Sequence, residues 1–381
     1  MLTSTVSPLL RIGLSLIGVW PGASHATPRW LFYMTTLAVM QYFQYYSVYV
    51  HLDFSNLSKL MDGLGLTLAY TQTTLKILSL WLNRRIFADI LEAMNDDWKD
   101  CETKLRECVM IDKANLAHRC SNAMISINIL STFLYFIDKY IRGHRVSKNG
   151  QLFREFSIQI QFPFDVYKRP VYELVNVGLF FHVFVTGVVM AMLNALILTL
   201  VLHVSGQIDI MCQELREIPS TLKSSSVSTK TLVGRHQKII SVSKYIEDLF
   251  TYVSLLQFVW NTLVICALGF MVVISLGNMT SNSGVLTQCI IPYLAVTMEA
   301  FVLCFAGDYL STKSKAIGDA AYEVVWYDLS TSECRSLLFV ILRSQKQLTI
   351  TAGKVVDLTL ESFITVMKAS ASYVSVLYAL Y

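Results

Sequence analysis

One stretch of this sequence is incompatible with a water-soluble fold. The 35 residues from Leu174 to Ile208 contain no Asp, Glu, Lys or Arg. As an α-helix, this stretch would extend roughly 50 Å, whereas the hydrocarbon core of a bilayer is about 30 Å thick. Such a membrane helix must either tilt strongly or continue beyond the bilayer. We favour a continuation of its inner end into the cytoplasm, because long inner loops need a surface to pack against.

Six further segments are apolar over the roughly 20 residues that a membrane helix needs. The chain is 54% hydrophobic and 15% charged, whereas soluble domains contain about 25% charged residues. Gly and Pro are scarce, which favours long helices over a barrel of short strands. The sequence therefore predicts an all-α polytopic membrane protein. Its seven transmembrane helices are predicted at Trp30–Val50, Leu57–Leu82, Ala117–Ile141, Leu174–Val204, Tyr252–Leu276, Val285–Leu310 and Val356–Leu380.

The basic residues in the loops predict the orientation. The loops after spans two, four and six are rich in Lys and Arg, whereas the loops after spans one and five contain none. The loop after span three is an exception, because it also carries basic residues, from Arg142 to Arg169. Because cytoplasmic loops are enriched in Lys and Arg, this balance predicts a cytoplasmic N-terminus and an extracellular C-terminus. The two N-glycosylation sequons, at Asn56 and Asn278, fall in loops that this orientation places outside the cell.

Three segments outside the spans are predicted to be helical. Leu9–Trp20 is apolar, but it lacks a basic n-region and contains Arg11, so we expect a short helix against the bundle rather than a cleaved signal peptide. Asn83–Leu116 mixes charges with spaced apolar residues, as a cytoplasmic helix does. Ser311–Val355 is too apolar for a solvated linker and should pack against other inner segments or another subunit.

The last span carries a polar stripe. Steps of three or four residues place the members of this stripe on one helix face. Lipid would not accept Asp, Glu or Lys there, because each costs roughly 2.5–3.5 kcal/mol at the centre of a membrane helix. The face must line a pore or pack against a neighbouring helix. The stripe comprises Asp357, Glu361, Thr365, Lys368, Ser372, Ser375 and Ala379.

The same region resembles the C-terminal signature of insect odorant receptors. The resemblance is carried by Ala321–Tyr322, Trp326–Asp328, the RSQKQLTITAGK run Arg343–Lys354, Ser362–Phe363 and Ser372–Tyr373. Two shorter segments also match, Phe162–Asp165 before the fourth span and His203–Gln207 at its inner end. Elsewhere the resemblance is mainly one of hydropathy and loop length.

This resemblance implies a function. A family member of this kind is a subunit of a tetrameric, odorant-gated, non-selective cation channel, which it forms with an odorant co-receptor subunit in the plasma membrane of olfactory sensory neurons. Its ligand would be a small volatile hydrophobic molecule, and its transmembrane helices would contact membrane lipid. Residues 1–310 would form the six-helix bundle with the ligand pocket in its outer half and cytoplasmic helix extensions, 311–355 a cytoplasmic subunit-contact segment, and 356–381 the pore-lining seventh helix.

The resemblance also implies ligand-binding positions, by span and depth. They are aromatic and aliphatic residues with a few polar groups, as a pocket for a small hydrophobic molecule requires. Aromatic residues at helical spacing can equally form plain core, and a buried Asn can simply bind a neighbouring helix. Pro292 could bend the sixth span beside this pocket. The ligand-binding positions are Tyr70, Asn128, Ser131, Tyr135, Phe180, Phe184, Gln288 and Ile291.

The gate is implied at the outer end of the last helix. The Ser372–Tyr373 motif aligns Val376 and Leu380 with the family's gate, and Ser372 and Ala379 lie beside them on the pore face. An apolar ring can close by dewetting, because a cation cannot shed its water there.

Other functional classes are disfavoured by missing motifs. No GxSxG, HExxH, P-loop or GxGxxG pattern in a strand–helix setting is present, so we predict neither an enzyme nor a cofactor. The spacing of Cys101 and Cys108 is unlike a zinc site, and no basic run suggests nucleic acid. The alternatives are a gustatory-type receptor channel, a polytopic membrane enzyme and a G-protein-coupled receptor. The TAGK and SYVSVL segments argue against the first, and the NPxxY pattern of the last is absent.

Overall fold

The computed structural model describes residues 4–50, 57–101, 103–143, 160, 170–221, 229–277 and 283–380. Within these ranges the chain forms α-helices, one short 3₁₀ helix at Trp326–Asp328 and one antiparallel hairpin. The helices are Pro8–Leu16 (α1), Ala26–Val50 (α2), Leu57–Leu82 (α3), Arg84–Lys99 (α4), Lys104–Gly143 (α5), Val171–Thr221 (α6), Thr229–Gly277 (α7), Ser283–Tyr322 (α8), Thr331–Ser344 (α9) and Leu360–Leu380 (α10), and the strands are Thr351–Ala352 (β1) and Val356–Asp357 (β2).

The seven longest helices correspond to the seven predicted spans, although the last helix begins later than predicted. These are α2, α3, α5, α6, α7, α8 and α10, so the predicted all-α architecture is confirmed. Among the described residues, four segments are long and apolar enough to cross a bilayer by length and composition, namely Lys104–Ile137, Val171–Ile218, Lys230–Val273 and Ile290–Tyr322. Both sequons, at Asn56 and Asn278, and the Phe162–Asp165 segment lie outside the described residues.

Helix α6 is the central element of the bundle. Its 51 residues extend about 76 Å, more than twice the roughly 30 Å thickness of a hydrocarbon core, which is the length that the predicted continuation beyond the bilayer requires. Because no charged side chain lies between Leu174 and Ile208, every face of this helix can be buried, and α1, α5, α7 and α8 pack around it. Leu196, Leu200 and Leu215 are completely buried along its length.

The end of the bundle that carries α4 and α9, which we call the inner end, is completed by short amphipathic helices. The predicted N-terminal helix is present as α1, which buries Leu10 and Leu14, and its Gly13 lies so close to α6 that a Cβ atom would overlap Met192. Helix α4 follows α3 after a break at Asn83 and buries Phe87 on its apolar face. The predicted inner helices therefore cover the extension of α6.

Ion pairs between helices tie the inner end together. Asp97 of α4 lies 3.1 Å from His203 Nε2 of α6 and 2.6 Å from Lys238 Nζ of α7. Burial alone would raise the pKa of Asp97, but hydrogen bonds and charge from His203 and Lys238 outweigh burial and lower the pKa. Glu214 of α6 forms a second centre with Arg106 of α5 at 2.7 Å and Arg235 of α7 at 3.3 Å.

The segment before the last helix corrects one prediction. The seventh span was predicted to begin at Val356, but Val356–Asp357 is strand β2, which pairs with β1, and α10 begins at Leu360. Gly353 and Lys354 both have positive φ angles, 64° and 61°, which turn the chain back into a hairpin. Asp357 therefore does not belong to the polar helix face, which starts at Glu361.

The hairpin is fixed to α7. Gly353 N–H donates to the carbonyl oxygen of Thr251 at 2.9 Å, and Thr351 Oγ1 donates to Glu247 Oε1 at 3.0 Å. A Cβ atom at position 353 would lie 2.6 Å from Leu255 Cδ2, so glycine also permits the close approach. The TAGK run thus anchors the start of α10.

Candidate functional site

A cavity of about 370 Å³ lies inside the bundle, between α3, α5, α6, α7 and α8. Its wall is mainly apolar, with several hydroxyl and amide groups. Five of the eight predicted ligand-binding residues line it, namely Tyr70, Asn128, Ser131, Tyr135 and Ile291. A concave apolar space with a few polar groups is the usual form of a small-molecule site. Pro292, which lies within α8, also lines the cavity.

The other three predicted ligand-binding residues are placed differently. Phe180 and Phe184 are not among the cavity-lining residues, and their rings lie 6.1 Å apart in an aromatic cluster with α5. In that cluster Phe180 packs edge-to-face on Phe136, with ring centroids 4.6 Å apart. Gln288 lies in α8 outside the residues whose side chains the structure describes.

Tyr70 is held rigidly in the cavity wall. Its hydroxyl forms a 2.9 Å hydrogen bond with His182 Nδ1, and the two rings stack with centroids 5.5 Å apart. Thr186 Oγ1, one turn further along α6, donates to the carbonyl oxygen of His182 and accepts from Tyr33 at 3.5 Å. This network fixes the shape of the wall between α3 and α6, which favours discrimination by shape.

The inner end of the cavity contains polar residues that the sequence analysis did not single out. Gln72, Asn261 and Glu299 line it together with the predicted residues. Glu299 Oε1 accepts a 2.8 Å hydrogen bond from Asn194 Nδ2, and Asn194 Oδ1 accepts a 2.6 Å hydrogen bond from Lys76 Nζ. A lysine and a glutamate are therefore joined through one amide across α3, α6 and α8.

The sequence did contain a signal for this network. Lys76 and Glu299 lie inside the second and sixth predicted spans, and ionisable residues within membrane helices usually face a partner or a cavity. Only the three-dimensional arrangement shows that Asn194 lies between them. Among the described residues, no group of three or more His, Cys, Asp or Glu side chains could hold a metal ion.

Helix α10 presents its polar stripe away from the chain. Glu361, Thr365, Lys368, Ser372 and Ser375 are all exposed. The opposite face packs on α7 and α8, where Cys266 Sγ donates to Ser370 Oγ at 3.2 Å and the rings of Phe301 and Phe363 lie 5.7 Å apart.

The predicted gate residues lie on the exposed side of α10. Ser372 is exposed and its hydroxyl donates to the carbonyl oxygen of Lys368 at 3.0 Å. Val376 is 58% exposed and Ala379 is also exposed. The side chain of Leu380 lies outside the described residues.

A second exposed surface lies at the inner end. Tyr322, Trp326, Tyr327, Phe339 and Val355 are all more than 60% exposed. Exposed aromatic and aliphatic side chains of this kind are frequent at protein interaction surfaces. They come from the end of α8, the 3₁₀ helix, α9 and the hairpin, all within the predicted subunit-contact segment.

The sequence and the fold were compared with known proteins. The model of the family described as 7tm Odorant receptor matches residues 56–371. Odorant receptor 67c of Drosophila melanogaster is 24% identical over 60% of this chain, which spans only 56% of that relative. Odorant receptor 22c of the same species is 23% identical over 96% of this chain and 95% of its own length. The solved structure of the olfactory receptor OR5 from Machilis hrabei in complex with eugenol superposes with a TM-score of 0.83, covering 98% of this chain and 97% of that chain at 13% identity.

Proposed function

Because the chain belongs to the insect odorant receptor family, we propose that it is the odorant-tuning subunit of an odorant-gated, non-selective cation channel. In this proposal it assembles with an odorant co-receptor subunit into a tetramer in the plasma membrane of olfactory sensory neurons. Its N-terminus is cytoplasmic and its C-terminus extracellular, in accordance with the distribution of Lys and Arg between the loops.

The exposed polar face of α10 carries the proposal. Glu361 and Lys368 would each cost several kcal/mol if they faced lipid. Their face is not covered by the rest of the chain, whereas the opposite face is packed on α7 and α8. A ring of such helices, one from each subunit, would turn the polar faces toward a central water-filled path. Glu361 at the inner mouth would favour cations over anions.

The gate belongs near the outer end of this path. Beyond Ser375 the exposed face becomes apolar at Val376 and Ala379. A ring of these side chains, with Leu380, would close the path by excluding water from the constriction. Ser372 lies on the inner side of the ring, where its hydroxyl would contact permeating ions or water. Co-receptor subunits would contribute their own residues to the same ring.

The exposed aromatic surface at the inner end is the proposed contact with neighbouring subunits. Trp326 and Tyr327 project from a segment that is fixed by the Ser330–Glu333 capping box at the start of α9. Large aromatic side chains are the usual anchors of protein interfaces. Residues 311–355 would therefore hold the subunits together at their cytoplasmic ends, while α10 lines the pore.

The cavity is the proposed odorant site. Tyr70, Asn128, Ser131, Tyr135 and Ile291 would contact the ligand directly. Phe180 and Phe184 would act through the aromatic cluster beside the cavity. A volume of about 370 Å³ suits a volatile molecule of moderate size rather than a lipid or peptide.

Whole-cell recording tests the proposal. Cells that express this chain with the co-receptor should respond to members of a volatile panel with cation currents, and cells with this chain alone should give little or no current. Large odorant-evoked currents from this chain alone would contradict the heteromeric assembly. Absence of current from a surface-expressed complex across a broad panel would contradict the channel function itself.

A further inference from the structure

The inner end of the cavity contains two unused hydrogen-bond donors. Gln72 Nε2 and Asn261 Nδ2 are buried and have no hydrogen-bond partner within the described part of the chain, although both side chains line the cavity. Their residues are only 7% and 2% exposed. Buried donors are nearly always paired, because an unpaired one loses its water without compensation. In the cavity wall, these two amides are available to donate to a ligand that carries an acceptor atom.

Helical register places the two donors at the same level as Glu299. Gln72 lies one turn from Lys76 on α3, and Asn261 lies one turn from Gln257 on α7. Lys76, Gln257 and Asn194 line a second, very small cavity immediately further in. Glu299 is bonded to Asn194 and lines the main cavity, so all three groups border its inner end.

Glu299 supplies the complementary group. Its carboxylate accepts from Asn194, and the residue lines the cavity and is partly buried. A carboxylate has several lone pairs and can accept more than one donor. Among the described residues that line this cavity, it is the one carboxylate, and none of them is Lys, Arg or His. Lys76, joined to Glu299 through Asn194, balances its charge.

We propose that this cavity selects uncharged volatile alcohols or phenols, with the ligand hydroxyl bound at its inner end. The hydroxyl donates a hydrogen bond to the Glu299 carboxylate and accepts a hydrogen bond from the amide of Asn261 or Gln72. The hydrocarbon part lies against the apolar wall formed by residues such as Leu68, Val264 and Ile291. The proposal rests on the odorant-gated channel function given above and defines its ligand class.

Related ligand classes satisfy fewer of these groups. An ether accepts from an amide but cannot donate to Glu299, and an alkane does neither. An alkylammonium ion can donate to Glu299, but it has no acceptor for the amides and would compete with Lys76 for the carboxylate. A site built around hydrogen-bonding groups rejects analogues that leave those groups unpaired. The alcohol should therefore be preferred.

The test uses ligands matched in the number of non-hydrogen atoms. We would record concentration–response curves for 1-octanol, 1-methoxyheptane, nonane and octylamine in cells that express the chain with the co-receptor. A second set is 4-ethylphenol, 4-methylanisole and 4-ethyltoluene. In at least one set the hydroxyl compound should act at a concentration about tenfold or more below its ether, since a hydrogen bond to a charged group is worth about one factor of ten or more.

Two variants test the assigned residues. In the charge-balanced Lys76→Met/Glu299→Gln, the alcohol-to-ether ratio of effective concentrations should move toward one, because only the alcohol donates to the Glu299 carboxylate. In Asn261→Leu the ether-to-alkane ratio should move toward one, because the ether accepts from this amide and the alkane does not. Thr262→Val, next to Asn261 on α7, is the matched control and should retain both ratios, because the Thr262 hydroxyl donates to the carbonyl oxygen of Phe258 and Thr262 is not among the cavity-lining residues. Because each ratio is measured within one variant, differences in surface expression cancel, and either variant alone suffices if the other does not reach the surface.

Three results would overturn the ligand class while leaving the channel function intact. They are equal potencies of alcohol and ether in the presence of robust currents, a stronger response to octylamine than to 1-octanol, and an unchanged ratio in both variants. A complex that reaches the surface but responds to no volatile compound would instead contradict the channel function on which the proposal rests.

Discussion

Replacing Lys76 by methionine should destabilise the receptor strongly, and removing the charge of Glu299 as well should restore most of the loss. Lys76 is 6% exposed, and its ammonium group donates to Asn194 Oδ1 at 2.6 Å. Methionine has a similar length but no charge and no donor. The variant would leave Asn194 Oδ1 unpaired and the Glu299 carboxylate without its counter-charge.

The size of the effect follows from these two losses. An unpaired buried acceptor costs roughly 1–3 kcal/mol, and removal of one partner from a buried ion pair costs about 3–5 kcal/mol in total. The double variant Lys76→Met/Glu299→Gln has no buried charge left to compensate, and the new amide can still accept from Asn194 Nδ2. Its remaining cost should be about 1–3 kcal/mol, that of the Asn194 oxygen that has lost the Lys76 donor.

Thermal stability of the detergent-solubilised complex measures these differences. Fluorescently tagged complexes would be heated and the surviving fraction followed by size-exclusion chromatography, for the wild type, both single variants and the double variant. The double variant should melt well above Lys76→Met, so the two substitutions should not be additive. A Lys76→Met complex that melts with the wild type, or a double variant that melts below both single variants, would refute the reasoning.

Two further predictions concern the ligand wall and the gate. Tyr135→Ala removes a cavity-lining ring and should shift the potencies of a volatile panel, whereas Phe184→Ala, beside the cavity, should shift them less. Surface labelling of both variants is the control, and equal potency shifts in the two variants would contradict the assigned wall. In Val376→Cys, an extracellular thiol reagent should reduce the current faster while odorant is present. Ile364→Cys, at a position that is also exposed but nearer the inner end, should react less readily from outside. Equal rates of modification of Val376→Cys with and without odorant would move the gate elsewhere.

Hydropathy and charge predicted the elements that the bilayer itself dictates. The bounds of α3 coincide with the second predicted span, and the extension of α6 follows from its uncharged run. A membrane helix must satisfy its backbone internally and match a fixed thickness, so length and apolarity alone largely determine it. Membership of the odorant receptor family followed from short motifs near the C-terminus.

Lateral contacts were less predictable, because they depend on how each helix is rotated. Tyr70 and Tyr135, which were selected by their depth in the membrane, lie in the cavity wall, but depth could not show that Phe184 packs in an aromatic cluster. The predicted start of the last span at Val356 was wrong because the positive φ angles at Gly353 and Lys354 have no hydropathy signal. Asn194 escaped notice because an uncharged amide has no distinctive pattern in sequence.

The hairpin and its hydrogen bonds fix the first residues of α10 more firmly than its far end. Hydrogen bonds to Thr251 and Glu247 of α7 hold the hairpin that precedes Leu360, and Leu360 N–H donates to Asp308 Oδ1 at 3.3 Å. From this fixed end the helix runs about 30 Å to Leu380. A tilt of roughly three degrees would move its far tip by about 1.5 Å and its fixed end hardly at all. The same small tilt therefore displaces Val376 much more than it displaces Glu361, and a gate at Val376 would open with little movement of the rest of the helix.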